Sequence, residues 1–175
     1  ANLGVTMAMA GARTLLVDSD LRRPILHKFF NLPNTSGLTT VLVEKTPPQE
    51  SIASTRLPGL FVLPSGPLPP NPAEVLSSPH MVELAELLKS NFDLVLYDSP
   101  PVVSLSDALI LSSRVEAVIL VVKCGLFPYE LIRQAKVQLE GVKANLVGVL
   151  LNSVDFKRDG YYYRYYYDYY YSSRY

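Results

Sequence analysis

A single cysteine, no tryptophan, two histidines and no net charge set the first limits on this 175-residue chain. Cys124 has no second cysteine with which to close an internal disulfide, so a disulfide scaffold is excluded and a reducing compartment fits best. It follows the apolar run Val118 to Lys123, which reads as a strand end, and an inert buried thiol is expected there. His27 and His80 have no partner at metal-ligand spacing and read as structural. The 16 basic and 16 acidic residues cancel, which removes any bulk attraction to nucleic acid or to an anionic membrane; no nucleic-acid partner is expected. No apolar stretch approaches the roughly 20 residues that span a bilayer. The amino-terminus carries no basic segment followed by an apolar one with a cleavage site. Any membrane attachment is therefore expected to come from a partner or from sequence outside these residues.

With 49% hydrophobic and 18% charged residues, the chain can bury one substantial core, and one globular domain is expected. Ala1 to Gly11 is a helical pattern of small and apolar residues that runs into Gly11, a natural helix stop, with no N-cap before it. It reads as a helix cut near its beginning. Five apolar runs follow, at Arg13–Val17, Leu60–Leu63, Leu94–Tyr97, Val115–Val122 and Leu146–Leu150. They are continuous rather than alternating, as strands covered on both faces require. Helical spacing is clearest at Pro79–Ser90 and Pro128–Glu140, each with proline near the first turn. Strand alternating with helix predicts an α/β fold with a doubly wound, mostly parallel sheet, whose ligands bind beyond the carboxyl ends of the strands.

Two segments break this rhythm. Pro64–Pro79 holds six prolines, too many for a regular element, and is read as a constrained loop. From Tyr161 to Tyr175, ten of the fifteen residues are tyrosine and none is aliphatic. Residues 158–175 are accordingly expected to form a flexible tail after a domain of residues 1–157. A β-forming segment is the alternative, since tyrosine favours strands.

Carboxylates mark the edge where chemistry is expected. A buried run ends in Asp18, and Asp20 follows two residues later. Carboxylates clustered at a strand end suit a hard divalent ion such as Mg²⁺; equally, both residues could start a turn and cap the next helix. A second run, Phe92–Tyr97, ends in Asp98 followed by Ser99, Pro100 and Pro101. An apolar strand closing on aspartate is the Walker B arrangement, whose carboxylate holds the ion at a nucleoside triphosphate. Two neighbouring strands of this kind would aim three carboxylates into one crevice, where an ion makes their clustering tolerable. Arg22 and Arg23 could steer phosphate, but pairing with an acidic neighbour is the favoured reading.

In order along the chain, Asp18-Ser-Asp20-Leu-Arg-Arg-Pro resembles the Walker A′ motif of bacterial protein-tyrosine kinases, and Leu94-Val-Leu-Tyr-Asp98-Ser-Pro-Pro resembles their Walker B. Between them, the segment Leu63-Pro-Ser-Gly-Pro-Leu-Pro-Pro-Asn-Pro-Ala-Glu-Val-Leu is similar to their proline-rich loop. Val149-Leu-Leu-Asn152 is similar to the strand whose asparagine faces the nucleotide base, and the tyrosine cluster resembles their autophosphorylated tail. Chromosome-partitioning and cell-division-site ATPases share both Walker aspartates but are not expected to carry such a tail. No Gly-Lys-Ser/Thr sequence occurs in the 175 residues, so the resemblance implies a P-loop NTPase-type fold lacking its first strand and P-loop, with Walker A expected just before Ala1.

The resemblance implies a site of Asp18, Asp20 and Asp98, with Asp20 and Asp98 on Mg²⁺, Asp18 accepting the tyrosine proton or serving the ion's outer shell, and Asn152 on the base of ATP. It implies that Tyr161, Tyr162, Tyr163, Tyr165, Tyr166, Tyr167, Tyr169, Tyr170, Tyr171 and Tyr175 are phosphoacceptors. Expected partners are a membrane-bound activator or polysaccharide co-polymerase domain, further copies of the chain in a ring, and a cognate tyrosine phosphatase. A cytoplasmic location at the inner face of the membrane and a role in capsular or exopolysaccharide synthesis follow from the same resemblance. Two other classes remain open: an ATPase switch that moves a cargo, and a non-catalytic phosphoacceptor module.

Overall fold

The computed structural model describes residues 1–154. The boundary expected at residue 157 and the ten tail tyrosines lie outside the described residues. Six strands are present among the described residues: β1 (Thr14–Asp18), β2 (Ala53–Ser54), β3 (Leu60–Leu63), β4 (Leu94–Asp98), β5 (Val118–Lys123) and β6 (Leu146–Asn152). The helices are α1 (Asn2–Met9), α2 (Leu26–Phe29), α3 (Leu38–Val43), α4 (Pro48–Ser51), α5 (Pro72–Ser77), α6 (Pro79–Asn91), α7 (Ser106–Ser112) and α8 (Tyr129–Gly141).

β1 is the structural centre. All five of its residues are buried, and it pairs in parallel with β3 on one side and β4 on the other. Successive side chains of a strand point to opposite faces. Leu15 and Val17 therefore enter one core with Leu38, Leu63, Leu76 and Met81, while Leu16 enters another with Ala8, Leu26 and Val62. α1 covers the second face closely: a Cβ on Gly4 would come within 2.6 Å of the Leu16 side chain.

The mostly parallel α/β architecture is as expected, with five local differences. The six strands fall into two ladders, β2-β3-β1-β4 and β5-β6. β2, too short to carry a pattern of its own, runs antiparallel on the outer side of β3. β5 begins at Val118, not Val115, and it pairs in parallel with β6. This second ladder is not covered on both faces: Val121, Val147, Val149 and Leu151 are more than half exposed among the described residues. Cys124, just past β5, is half-buried rather than enclosed.

The proline-rich segment is also more ordered than expected. Pro72 and Pro79 sit at the first turns of α5 and α6, where a missing N–H costs nothing because that donor has no intrahelical acceptor. Ser78 caps α6, its hydroxyl accepting from the Met81 N–H at 3.3 Å. Arg114 donates to the carbonyls of Leu76, Ser77 and Ser78 at 2.9, 2.7 and 3.2 Å, satisfying the exposed carboxyl end of α5.

The loop after β3 is stitched to the turn before α3. Leu38 and Thr39 N–H groups donate to the Pro64 and Ser65 carbonyls, each at 2.8 Å, and Asn34 accepts from the Gly66 N–H at 2.9 Å. The approach leaves no room for a side chain at Gly37, where a Cβ would lie 2.2 Å from the Pro64 oxygen and 2.4 Å from the Gly66 nitrogen. Backbone atoms cannot swing aside as a side chain does. Gly37→Ala should therefore destabilise by about 2–3 kcal/mol, lowering the melting temperature by about 5–10 °C in a chain of this size. A thermal melt unchanged from the parent would refute this close approach.

Candidate functional site

The parallel pairing of β1 and β4 places Asp18 directly opposite Asp98 in register. One residue on, the Ser19 N–H donates to the Asp98 carbonyl at 2.8 Å, so the two chains stay together past the strand ends. Asp20 follows in the turn, close enough that its charge raises the affinity of both other carboxyls for protons. Asp18, Asp20 and Asp98 thus share one edge of the sheet. Among the described residues, however, no three acidic, histidine or cysteine side chains converge as a ready-made metal cage. Mg²⁺ does not require one, since it binds through one or two carboxylates and completes its shell with water and phosphate.

Asp18 and Asp20 each hold local backbone through one oxygen. Asp18 is fully buried; its Oδ2 accepts from the Ile25 and Leu26 N–H groups at 3.1 and 2.9 Å, capping the start of α2. Its Oδ1 is also buried and has no hydrogen-bond partner. Asp20 Oδ1 accepts from the Arg22 and Arg23 N–H groups at 3.1 and 2.9 Å, holding the turn. The capping reading of these residues is thus met through one oxygen of each carboxyl. Asp18 Oδ1, an orphan acceptor beside like charges, fits a cation or a hydroxyl proton.

The charges around this edge are unevenly matched. Burial, chiefly, and the nearby Asp98 and Asp20 push the Asp18 carboxyl above its ordinary value, against the opposing pull of the two N–H groups. Asp98 is pushed up chiefly by burial and also by Asp20. The start of α1 lies near Asp98, and a helix amino-terminus next to an acidic ion site is where phosphate is held.

The Arg22 side chain feels the charge of Asp20 but gives its hydrogen bonds elsewhere. It turns to Asp107 in the first turn of α7, its Nε donating to Oδ2 at 2.7 Å and its Nη2 to Oδ1 at 3.1 Å. Asp107 is fully buried. This fork ties the turn after β1 to the helix after β4 and bears out the pairing expected of one arginine. Arg23, exposed, makes no ion pair among the described residues. Asp107, Arg114 and Ser19 are parts of this framework that the sequence did not single out; an acid just after a strand-ending aspartate and two prolines is the only signal Asp107 offers. Asn152 ends β6 in the second ladder, where its side-chain oxygen accepts from the Ser153 N–H at 2.9 Å. No described contact joins it to the aspartates.

Two outcomes follow from the electrostatics. Because Asp98 binds its proton more tightly folded than unfolded, the stability it contributes is full below the ordinary value of 3.8 and is lost as pH rises through the folded value. Asp98→Asn should thus melt above the parent at pH 7, with the gap closing as pH falls towards 4; a lower melting temperature at pH 7 would contradict it. Arg22→Ala should leave Asp107 buried and unpaired. Its melting temperature should fall, and adding Asp107→Asn should recover part of the loss, which thermal melts of the single and double variants will measure.

Comparison with known proteins shows the family. No family model matches the chain. Tyrosine-protein kinase YwqD of Bacillus subtilis (strain 168) is 40% identical over 165 residues, covering 93% of this chain and 70% of YwqD. The kinase domain of the Escherichia coli tyrosine kinase ETK superposes with a TM-score of 0.84 at 32% identity, over 87% of this chain and 60% of that one. More distantly, the cell division ATPase MinD of Pyrococcus furiosus matches at a TM-score of 0.71 and 25% identity, over 86% of this chain and 63% of that one. Strand-end carboxylates in register, a helix start beside them and kinase relatives over nearly the whole chain lead to one assignment: the chain belongs to the bacterial tyrosine-protein kinases.

Proposed function

We propose that this kinase domain, when completed by a Gly-Lys-Ser/Thr loop that these 175 residues do not contain, transfers the γ-phosphoryl group of ATP to tyrosines of its own carboxyl-terminal cluster, Tyr161 to Tyr175, in a second copy of the chain. The observation that carries this is the register pair Asp18 and Asp98, set at one sheet edge with the start of α1 beside it. In the transfer, the bond from the γ-phosphorus to the bridging oxygen breaks, a bond from phosphorus to the tyrosyl oxygen forms, and the hydroxyl proton leaves. Asp18 is the acceptor for that proton. Its Oδ1 is unpartnered, and burial raises its proton affinity above that of a solvated carboxylate.

Asp20 and Asp98 would hold Mg²⁺, directly or through its water. The ion, when bound, supplies the positive charge that the crevice lacks and that phosphoryl transfer needs. The two carboxylates orient it, Asp18 holds the proton, and Ser19 and Arg22 keep the two loops in place. Asn152 would meet the nucleotide base. Partners of this reading are a membrane-bound activator or polysaccharide co-polymerase domain, further copies in a ring and a cognate tyrosine phosphatase. The setting is the cytoplasmic face of the membrane, and the process is capsular or exopolysaccharide synthesis. None of the described helices is long and apolar enough to cross a membrane, so that location rests on the partner or on further sequence.

The test pairs the 175-residue chain with MgATP, alone and with an intact kinase of the same family supplied in trans, and maps phosphate by mass spectrometry. Phosphate on the tail, abolished when its tyrosines become phenylalanine, is the expected result. Without a Gly-Lys-Ser/Thr loop in these residues, modification should depend on the added enzyme. An unmodified tail beside an active kinase would sink the proposal.

A further inference from the structure

A groove of about 600 Å³ opens next to the catalytic carboxylates, and nothing in the transfer reaction uses it. One wall comes from the turn after β1 and carries Arg23, His27 and Lys28; the other comes from the loop after β3 and carries Pro67 and Leu68, with Asn34 between. The two strands thus deliver both walls to the active edge of the sheet. Ile25 joins groove and site directly, because it lines the groove and its N–H binds Asp18.

The chemistry of this groove is opposite to that of its neighbour. No carboxylate lines it. Arg23 and Lys28 are exposed and form no ion pair among the described residues. His27 has a buried Nδ1 with no hydrogen-bond partner. Asn34, by contrast, is committed to Ser65 and Gly66 and shapes the groove without being available to a ligand. Leu68, 59% exposed, and Pro67 offer an apolar shelf. Unspent positive charge beside an apolar shelf suits a ligand with an aromatic ring and an anionic head.

We propose that this groove binds a phosphotyrosine already formed on the tail of a second copy, next to the tyrosine presented to Asp18. This rests on the kinase reading above and specifies its preferred substrate: a tail already phosphorylated in part. The tail sequence supplies such neighbours at nine of its ten tyrosines, which come in runs of three, Tyr161 to Tyr163, Tyr165 to Tyr167 and Tyr169 to Tyr171. An extended peptide advances about 3.3 Å per residue, so a residue a few places from the target leaves the acidic crevice and meets the basic groove. Each phosphate brings about −1.5 to −2 charges. Like charge would repel it from Asp18, Asp20 and Asp98, and Arg23 and Lys28 attract it. The first phosphate on a tail then makes the next one easier to add.

The experiment is a binding assay that needs neither ATP nor turnover. Fluorescein-labelled peptides spanning residues 158–175 are titrated with the 175-residue chain by anisotropy, one unmodified, one with phosphotyrosine at Tyr166 and one with glutamate there. The phosphotyrosine peptide should bind at least about tenfold more tightly than the other two, the effect of one charge-assisted hydrogen bond. Arg23→Ala with Lys28→Ala should erase the difference, and Arg23→Lys with Lys28→Arg should keep it. Equal binding of all three peptides, an unchanged preference in the double-alanine variant that still melts as the parent, or equal competition by millimolar inorganic phosphate and phosphotyrosine would each overturn the proposal. Failure here beside a phosphorylated tail in the mass-spectrometric test removes only the groove. Preferential binding beside an unmodified tail removes the kinase reading instead.

Discussion

The parallel pairing of β1 with β4 is the constraint on which the rest depends. It sets Asp18 against Asp98 at the same height, and the Ser19 N–H to Asp98 carbonyl bond carries the pairing past the strand ends. Two carboxylates so placed repel each other and lose water, and both hold their protons above the ordinary range. An isolated domain gains nothing by this arrangement. It becomes favourable when a cation occupies the crevice, because opposite charge then reverses both effects. The cost is softened in its absence by the two N–H groups on Asp18 Oδ2. Stability is thereby traded for a site poised to take positive charge, a common feature of functional centres.

Much of this was legible in the sequence, because strand ends in a parallel sheet announce themselves. A continuous apolar run closing on aspartate names both the strand and the edge on which its last residue sits, and Asp18 and Asp98 lie where that logic puts them. What escaped was set by tertiary contact. Two residues of β2 have no periodicity to read, and they become a strand only by lying against β3. α5 hides in a proline-rich run because Pro72 stands at a first turn, and because the guanidinium that completes its carboxyl end comes from Arg114, far along the chain. Conversely, Val149 and Leu151 of β6 look like core in the sequence and are exposed among the described residues. An apolar strand states that it wants cover, not which element provides it.

Arg22 and Arg23 show how far sequence reading can go and where geometry takes over. The two are adjacent, chemically identical and equally exposed by composition alone, and a turn held by Asp20 Oδ1 presents both N–H groups to the same carboxylate. Their side chains then part. Arg22 is spent on buried Asp107, so it locks the two aspartate-bearing loops together and leaves the crevice acidic. Arg23 lines the neighbouring groove with Lys28, where no carboxylate competes for it. Had both arginines turned inward, they would have neutralised Asp20 and Asp98 and filled the role of the ion. Had both turned to Asp107, one would be left without a partner. The alternation of a single turn therefore sends one arginine to a buried carboxylate and the other to a groove that no carboxylate lines. Pairing, not distance, keeps a cation-seeking crevice and an anion-seeking groove apart on one edge of the sheet.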